Sequence, residues 1–251
     1  SDVCSSDLPD FFLFIFSHNF LYYCIMKNIV VFTGAGISAE SGLGTFRDSG
    51  GLWEKYRIED VATPEAFKKN PSLVLDFYNI RRKQLLNSQP NDAHFALNRL
   101  QEKFNLSIIT QNIDNLHERS GTKNIIHLHG KLTESKSTID HKTHPIKGHE
   151  LNIGDYCEKG DQLRPNVVWF GEDVPNMEVA IQKVRTADIF IIIGTSLNVF
   201  PAASLIDYAT RSERIILIDP NASYIDGIEV ISEKATKAVP KLVEELLELL
   251  D

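Results

Sequence analysis

Cysteine is scarce in this chain: Cys4, Cys24 and Cys157 are its three cysteines in 251 residues, and two of them fall in the first 25. That argues against a disulfide framework and an oxidising compartment. Positive charge is also short, with 26 Lys and Arg against 34 Asp and Glu and a net charge of -8. A grip on a nucleic-acid backbone wants a basic face, so nucleic acid is not expected as a partner. Long apolar runs are missing too. The most apolar stretch, FFLFIFSHNFLYYCI, is too short to span a bilayer. No basic region precedes it and no small-residue cleavage site follows, so neither a signal peptide nor a membrane anchor is expected. The string before it, SDVCSSDL, matches the translation of a common sequencing-library adapter. Residues 1–25 are therefore read as a non-native or disordered leader, with Met26 as the start. The remainder, in a chain 43% hydrophobic and 24% charged, fits an ordinary globular protein, expected in the cytoplasm.

What is present begins with NIVVFTGAGISAESGLGTFR, from Asn28 to Arg47. It reads as a buried strand, a glycine turn at Gly34-Ala35-Gly36 and a helix start. A dinucleotide pyrophosphate needs that order: glycines admit the backbone closely and free N–H groups face the anion. Alone, such a turn is also compatible with a plain tight turn. Hydride-transferring dehydrogenases place an acid at a second strand end about 20 residues on. The corresponding DSGGLWEKYRIED does not read as a strand end, so a different manner of holding the nucleotide is expected.

Further along, Thr63-Pro64 and Asn70-Pro71 read as helix starts, the second leading into a helix over 72–86. Another amphipathic helix is expected over 92–104, with His94, Leu97 and Leu100 on one face. Strands are expected at 106–110, 124–128, 165–170, 189–193 and 214–218. Helices are expected at 179–186, 202–211 and 239–250. From 131 to 161 the pattern is lost and a small inserted module is expected. Alternating strands and helices predict an α/β fold, a Rossmann-like doubly wound parallel sheet.

Several strand ends carry polar groups. Gln111, Asn112 and Asp114 can hydrogen-bond a carboxamide and ribose hydroxyls, or cap a helix over 115–119. His129, before Gly130, is either a base facing the crevice or a core histidine bonded to backbone. His127 would point to the same face one step deeper. Gly194-Thr195-Ser196 would complete a dinucleotide crevice, or be a βα turn. His141, His144, His149 and Cys157 run H-x2-H-x4-H-x7-C, which lacks the paired close ligands of structural zinc sites, so no metal site is expected.

GAGISAESGLGTFR, TQNIDNLH, HLHG, RPNVVWFGE, GTSLNVFPAA and DPN occur in that order over Met26–Asp251. Together they resemble the sirtuins, NAD-dependent protein-lysine deacylases. The resemblance implies one catalytic domain over 26–251, its small module formed by about 50–85 and 131–161. It implies NAD as cofactor and acylated lysines of proteins as partners. In the implied reaction the acyl oxygen attacks the anomeric carbon of the nicotinamide ribose and nicotinamide leaves. His129 then deprotonates a ribose hydroxyl, and the products are free lysine and O-acyl-ADP-ribose. By the same resemblance Asn112 and Asp114 line the nicotinamide pocket and Gln111 stands near the ribose. Phe46 and Arg47 belong to a loop over the cofactor, and Gly34, Ala35 and Gly36 face the phosphates. Gly194, Thr195, Ser196, Asn221 and Ala235 match the adenosine side. Val168, Phe170 and Gly171 lie on the segment along which substrate adds as a β-strand.

Tyr78 and Arg81 form Y-x-x-R on one helix face. In one sirtuin class this pair binds a carboxylate on the acyl chain, beside a small residue that Ala62 matches. Desuccinylase or demalonylase activity with some deacetylation is therefore expected. Most sirtuins carry four zinc-binding cysteines in the small module. Here Cys157 stands alone there, so zinc is expected to be absent and the module to hold by packing. Gly44 stands where a proline is frequent. Alternatives are an NAD glycohydrolase or ADP-ribosyltransferase using the same crevice, and a non-catalytic NAD or ADP-ribose sensor.

Overall fold

Strands that are apolar at nearly every position must be covered on both faces, and the ones in this chain lie side by side. The computed structural model describes residues 26–44 and 55–249. Strand β1 (Asn28–Thr33) leads into the single turn α1 (Gly36–Ala39). After α2 (Ile58–Val61) come α3 (Pro64–Lys69) and the long α4 (Pro71–Asn87). Both expected caps form: Thr63 Oγ1 accepts from the Ala66 N–H at 3.0 Å and Asn70 Oδ1 from the Leu73 N–H at 3.2 Å. Helix α5 (Asp92–Arg99) ends before the expected residue 104 and tightens into a 3-10 turn at Leu100–Glu102. Then follow β2 (Asn105–Thr110), α6 (Leu116–Arg119), β3 (Ile125–His127), β4 (Gly130–Lys136), β5 (Thr143–Pro145) and β6 (Arg164–Val167). The chain continues through α7 (Met177–Arg185), β7 (Ile189–Ile193), β8 (Arg214–Ile218), β9 (Glu229–Ile231) and α8 (Ala235–Glu248).

Six strands form one parallel sheet in the order β3-β2-β1-β7-β8-β9. The chain builds outward from β1 in one direction and from β7 in the other, so the order reverses between them, and ligands of doubly wound sheets sit at that reversal. Alternation divides the core. Ile29 and Val31 face one layer with α5 and α8, while Val30 and Phe32 face the other with Ala180 and Val184 of α7. Helix α8 turns Ala235, Ala238, Val239, Leu242, Val243 and Leu246 inward at helical spacing.

Three readings change. The run PNVVWF was expected as one of the alternating strands, but only Arg164–Val167 is extended. It pairs antiparallel with β4 in a separate sheet of order β5-β4-β6. Beyond Val167 the chain is drawn into a turn by Glu172, whose carboxylate accepts from the Trp169 N–H and holds Arg164. The helix expected over 202–211 is a 3-10 helix at Ala202–Tyr208. β9 went unanticipated because it is three residues long and none of its residues is fully buried.

Candidate active site

Parallel register brings the strand ends to one level: Thr33 is opposite both Thr110 and Ile193, and Ile193 is opposite Ile218. The turns that follow are therefore neighbours. The Gly34 N–H donates to the Ile193 carbonyl and the Gly36 N–H to the Gly194 carbonyl, each at 2.9 Å. These two donors are thus taken by β7's end and do not stand free for an anion, contrary to the expectation for the turn. The glycines permit the approach itself. A Cβ on Gly36 would lie 2.6 Å from the Gly194 Cα, and Gly194 has φ +62°.

Beside this contact, Asn112 and Asp114 are both buried. Asn112 Nδ2 donates to the Gly34 carbonyl at 3.0 Å and to Ser38 Oγ at 3.2 Å. Ser38 Oγ donates to Asp114 Oδ2 at 3.0 Å, and the Leu116 N–H donates to Asp114 Oδ1 at 3.1 Å. Asp114 thus also satisfies the first backbone N–H of α6, whose N-cap position is Asn115. Burial raises its carboxyl above the ordinary range, against those hydrogen bonds. Across the crevice Gln111 Nε2 donates to Thr195 Oγ1 at 3.0 Å, joining the ends of β2 and β7.

His129 sits where the chain leaves the parallel sheet for the antiparallel one, between β3 and β4. Its Nδ1–H donates to the Gln111 carbonyl at 3.0 Å, so Nε2 carries the free lone pair. Burial lowers its pKa, and the bond to Gln111 partly opposes that. His127 lies deeper, as expected. Its Nδ1 meets the Asn112 carbonyl at 3.2 Å and its Nε2 meets Glu118 Oε1 at 2.8 Å, which makes it a brace for the Gln111–Asp114 segment.

The other half of the site lies under the small sheet. Ala62, Tyr78, Ile113, Val167 and Trp169 share one buried cluster. The Phe170 N–H donates to the Ala62 carbonyl at 3.0 Å, and Trp169 Nε1–H donates to the Tyr78 hydroxyl at 3.0 Å. Arg81 is close enough to Tyr78 and Asp114 for each to act on its guanidinium electrostatically. The Val168 N–H donates to the His129 carbonyl at 2.9 Å. With Val168, Trp169 and Phe170 N–H groups engaged internally, the Val168 and Phe170 carbonyls and Gly171 carry the hydrogen-bonding capacity left on that segment.

On the remaining flank Thr195 is half-buried while Ser196 and Asn221 are exposed, and the Asn221 N–H donates to Asp219 Oδ1 at 2.8 Å. Ala235 turns its methyl into the core, which leaves only its backbone to the crevice. Phe46 and Arg47 lie outside the described residues. A cavity of about 230 Å³ lined by Arg82, Leu85, Asn115, Arg119 and Thr133 includes none of these groups. Sequence reasoning missed Ser38, Trp169 and Glu118. Ser38 stands four residues after Gly34, on the first turn, where a hydroxyl next to a polar strand end was legible.

The donors of the small module do not suit the zinc of most sirtuins. Among the described residues no three His, Cys, Asp or Glu side chains form a group that could hold a metal ion, and Cys157 is its lone thiol. The small module does carry polar ties and packing of its own. Asn79 Nδ2 donates to the Leu151 carbonyl at 3.2 Å and Asn79 Oδ1 accepts from the Leu151 N–H at 2.9 Å. Asp161 Oδ2 accepts from the Thr138 N–H at 2.7 Å, and Leu75, Leu151 and Leu163 pack together.

A doubly wound sheet whose reversal point gathers two amides, a buried carboxylate and an imidazole fits a dinucleotide-using class of enzyme. Residues 34–201 match the model of the Sir2 family, and a Bacteroides thetaiotaomicron protein named NAD-dependent protein deacylase is 52% identical over 231 residues, 88% of this chain and 99% of that relative. The chain belongs to the Sir2 family, the sirtuins. Among solved structures, a Sir2 homologue–NAD complex is similar with TM-score 0.82 and 36% identity, covering 100% of this chain and 98% of that one. A Sir2–p53 peptide–NAD+ complex is similar with TM-score 0.73 and 28% identity, covering 92% and 98%.

Proposed function

We propose that this sirtuin is an NAD-dependent protein-lysine deacylase that prefers acyl groups ending in a carboxylate, succinyl, malonyl or glutaryl, and keeps some deacetylase activity. The enzyme class is that of its family and of its 52% identical relative. The preference rests on one observation: Arg81 lies close to Tyr78, and Tyr78 shares a buried cluster with Ala62 and Trp169. Arginine and a phenol together make charge-assisted hydrogen bonds to a carboxylate, and Ala62 leaves room for the longer chain.

The residues fit NAD. Asn112 and Asp114 would hold the nicotinamide carboxamide and Gln111 the ribose; Gly34, Ala35 and Gly36 would let the phosphates come close to the backbone, not through the engaged Gly34 and Gly36 N–H groups, with Phe46 and Arg47 over them. Gly194, Thr195, Ser196, Asn221 and the Ala235 backbone would take the adenosine side. NAD, when bound, supplies the ribose that accepts the acyl group, with nicotinamide and O-acyl-ADP-ribose as products. His129 accepts the ribose hydroxyl proton at Nε2, because its Nδ1 is engaged by Gln111. Val168, Phe170 and Gly171 align the substrate backbone as an added strand, through the carbonyls and Gly171. The small module, about 50–85 with 131–161, would act as a unit against the parallel sheet. The scarcity of cysteine supports a cytoplasmic setting; among the described residues no helix is long and apolar enough to cross a membrane.

An acyl-peptide panel (acetyl, succinyl, malonyl, glutaryl) with NAD tests the preference. Wild type should favour the carboxylate-bearing chains, and Arg81→Met should lower the succinyl-to-acetyl ratio of kcat/KM by about 10-fold or more. Equal loss on both peptides would defeat the reading.

A further inference from the structure

Trp169 presents one hydrogen-bonding atom, its indole N–H, and that atom is only a donor. It points at the Tyr78 hydroxyl at 3.0 Å, with both side chains almost wholly buried (3% and 1% exposed). Tyr78 is therefore the acceptor in that bond, and its own proton must be directed elsewhere. Among the described residues no acceptor takes that proton. The indole cannot swing away to release the hydroxyl. The Arg164 guanidinium lies 3.3 Å from the Trp169 ring centroid, is itself 5% exposed, and is held by both oxygens of Glu172. Glu172 also accepts from the Trp169 backbone N–H at 2.8 Å, and Phe67 packs against the ring with centroids 5.5 Å apart.

We propose that Trp169 is a positioning residue for acyl specificity: its indole N–H fixes the Tyr78 hydroxyl as a donor, so that the Tyr78 proton is presented to the terminal carboxylate of the acyl chain beside Arg81. This rests on the reading of Tyr78 and Arg81 as the acyl-carboxylate pair. A fixed donor acts on both sides of the choice. It gives a carboxylate a charge-assisted bond, and opposite an acetyl methyl it stays buried and unpaired. A hydroxyl free to rotate would do neither as well.

The acyl panel is run on wild type, Trp169→Phe, Tyr78→Phe and the double variant. Trp169→Phe should raise KM for the succinyl peptide about 5- to 10-fold with kcat little changed, and lower the succinyl-to-acetyl ratio. In the Tyr78→Phe background the same substitution should leave that ratio where it was, because no hydroxyl remains to orient. Replacing Trp169 by 3-benzothienylalanine, which keeps the bicyclic shape and exchanges N–H for sulfur, should reproduce the effect if Trp169→Phe folds poorly. A wild type without carboxylate preference overturns both the pair and this inference. A wild type that prefers succinyl, with the ratio unchanged in Trp169→Phe and in the benzothienyl protein, overturns the inference alone. So does a ratio that falls equally with and without the Tyr78 hydroxyl.

Discussion

In the proposed reaction one carbonyl makes His129 a competent base. The Gln111 oxygen accepts from Nδ1–H and so leaves the Nε2 lone pair for a ribose hydroxyl. His129→Ala should cut deacylation about 10²- to 10⁴-fold, the range for losing a positioned base, while NAD affinity measured by calorimetry changes far less. Because burial lowers the His129 pKa, the acid limb of kcat/KM should fall below the ordinary histidine value of 6.5. A limb above it would contradict the geometry. Two other histidines matter for stability. Burial holds His94 at about 4 and His117, where the neighbouring His94 adds to the effect, at about 3. Glu118 is pushed up by burial, but the hydrogen bond and charge of His127 outweigh this and bring it to about 2. All three are lowered, so between their ordinary and folded values the unfolded chain binds more protons. Stability should therefore fall as pH drops below about 6.5, first through the histidines and then, below about 4.5, through Glu118. Thermal melts from pH 8 to 4 check this; a flat profile would contradict it.

The elements that carry the site are short, and they work by contact rather than by length. α1 is one turn, yet it holds Ser38 against Asn112 and Asp114 because Gly36 lies against Gly194. Gly194→Ala would set a Cβ 2.5 Å from the Ile37 nitrogen at a φ of +62°. It should cost about 1–3 kcal/mol or more and weaken NAD binding, read from the melting temperature with and without NAD. Gly130 is the matching hinge between the sheets, where an added Cβ would meet the Asn166 oxygen at 2.1 Å. Legibility followed the same division. β1, β2, β7 and β8 are apolar runs that must be buried, and Thr63 and Asn70 cap helices by local chemistry, so the sequence foretold them. β6 and the turn after it depend on Arg164 holding Glu172 and Trp169, contacts between side chains that periodicity does not register. The cofactor turn was legible as a close approach. What it approaches, the end of β7, is set by sheet order, which no local pattern encodes.

At the scale of the molecule two sheets meet at His129: the parallel one brings Gln111, Asn112 and Asp114, and the antiparallel one brings Trp169 and its neighbours against Tyr78. The crevice residues were legible because their motifs are contiguous. Residues 62, 78 and 169, proposed to wall the acyl chain, share a buried cluster that only the fold unites. The small module is tied by Asn79, Asp161 and leucine packing, so exhaustive chelation should leave the melting temperature within about 1 °C, and a large fall would show a metal at work. Asn79→Ala, which removes both bonds to Leu151, should instead loosen the module, seen as faster amide exchange over 149–163. In the proposed reaction the crevice cleaves NAD in order to deacylate lysine. Nicotinamide release from NAD, measured with and without a succinyl-lysine peptide, tests it most directly. Release should depend on the acylated peptide, match deacylated lysine one for one, and collapse in His129→Ala. Nicotinamide release at the same rate without peptide would mark a glycohydrolase instead and contradict it.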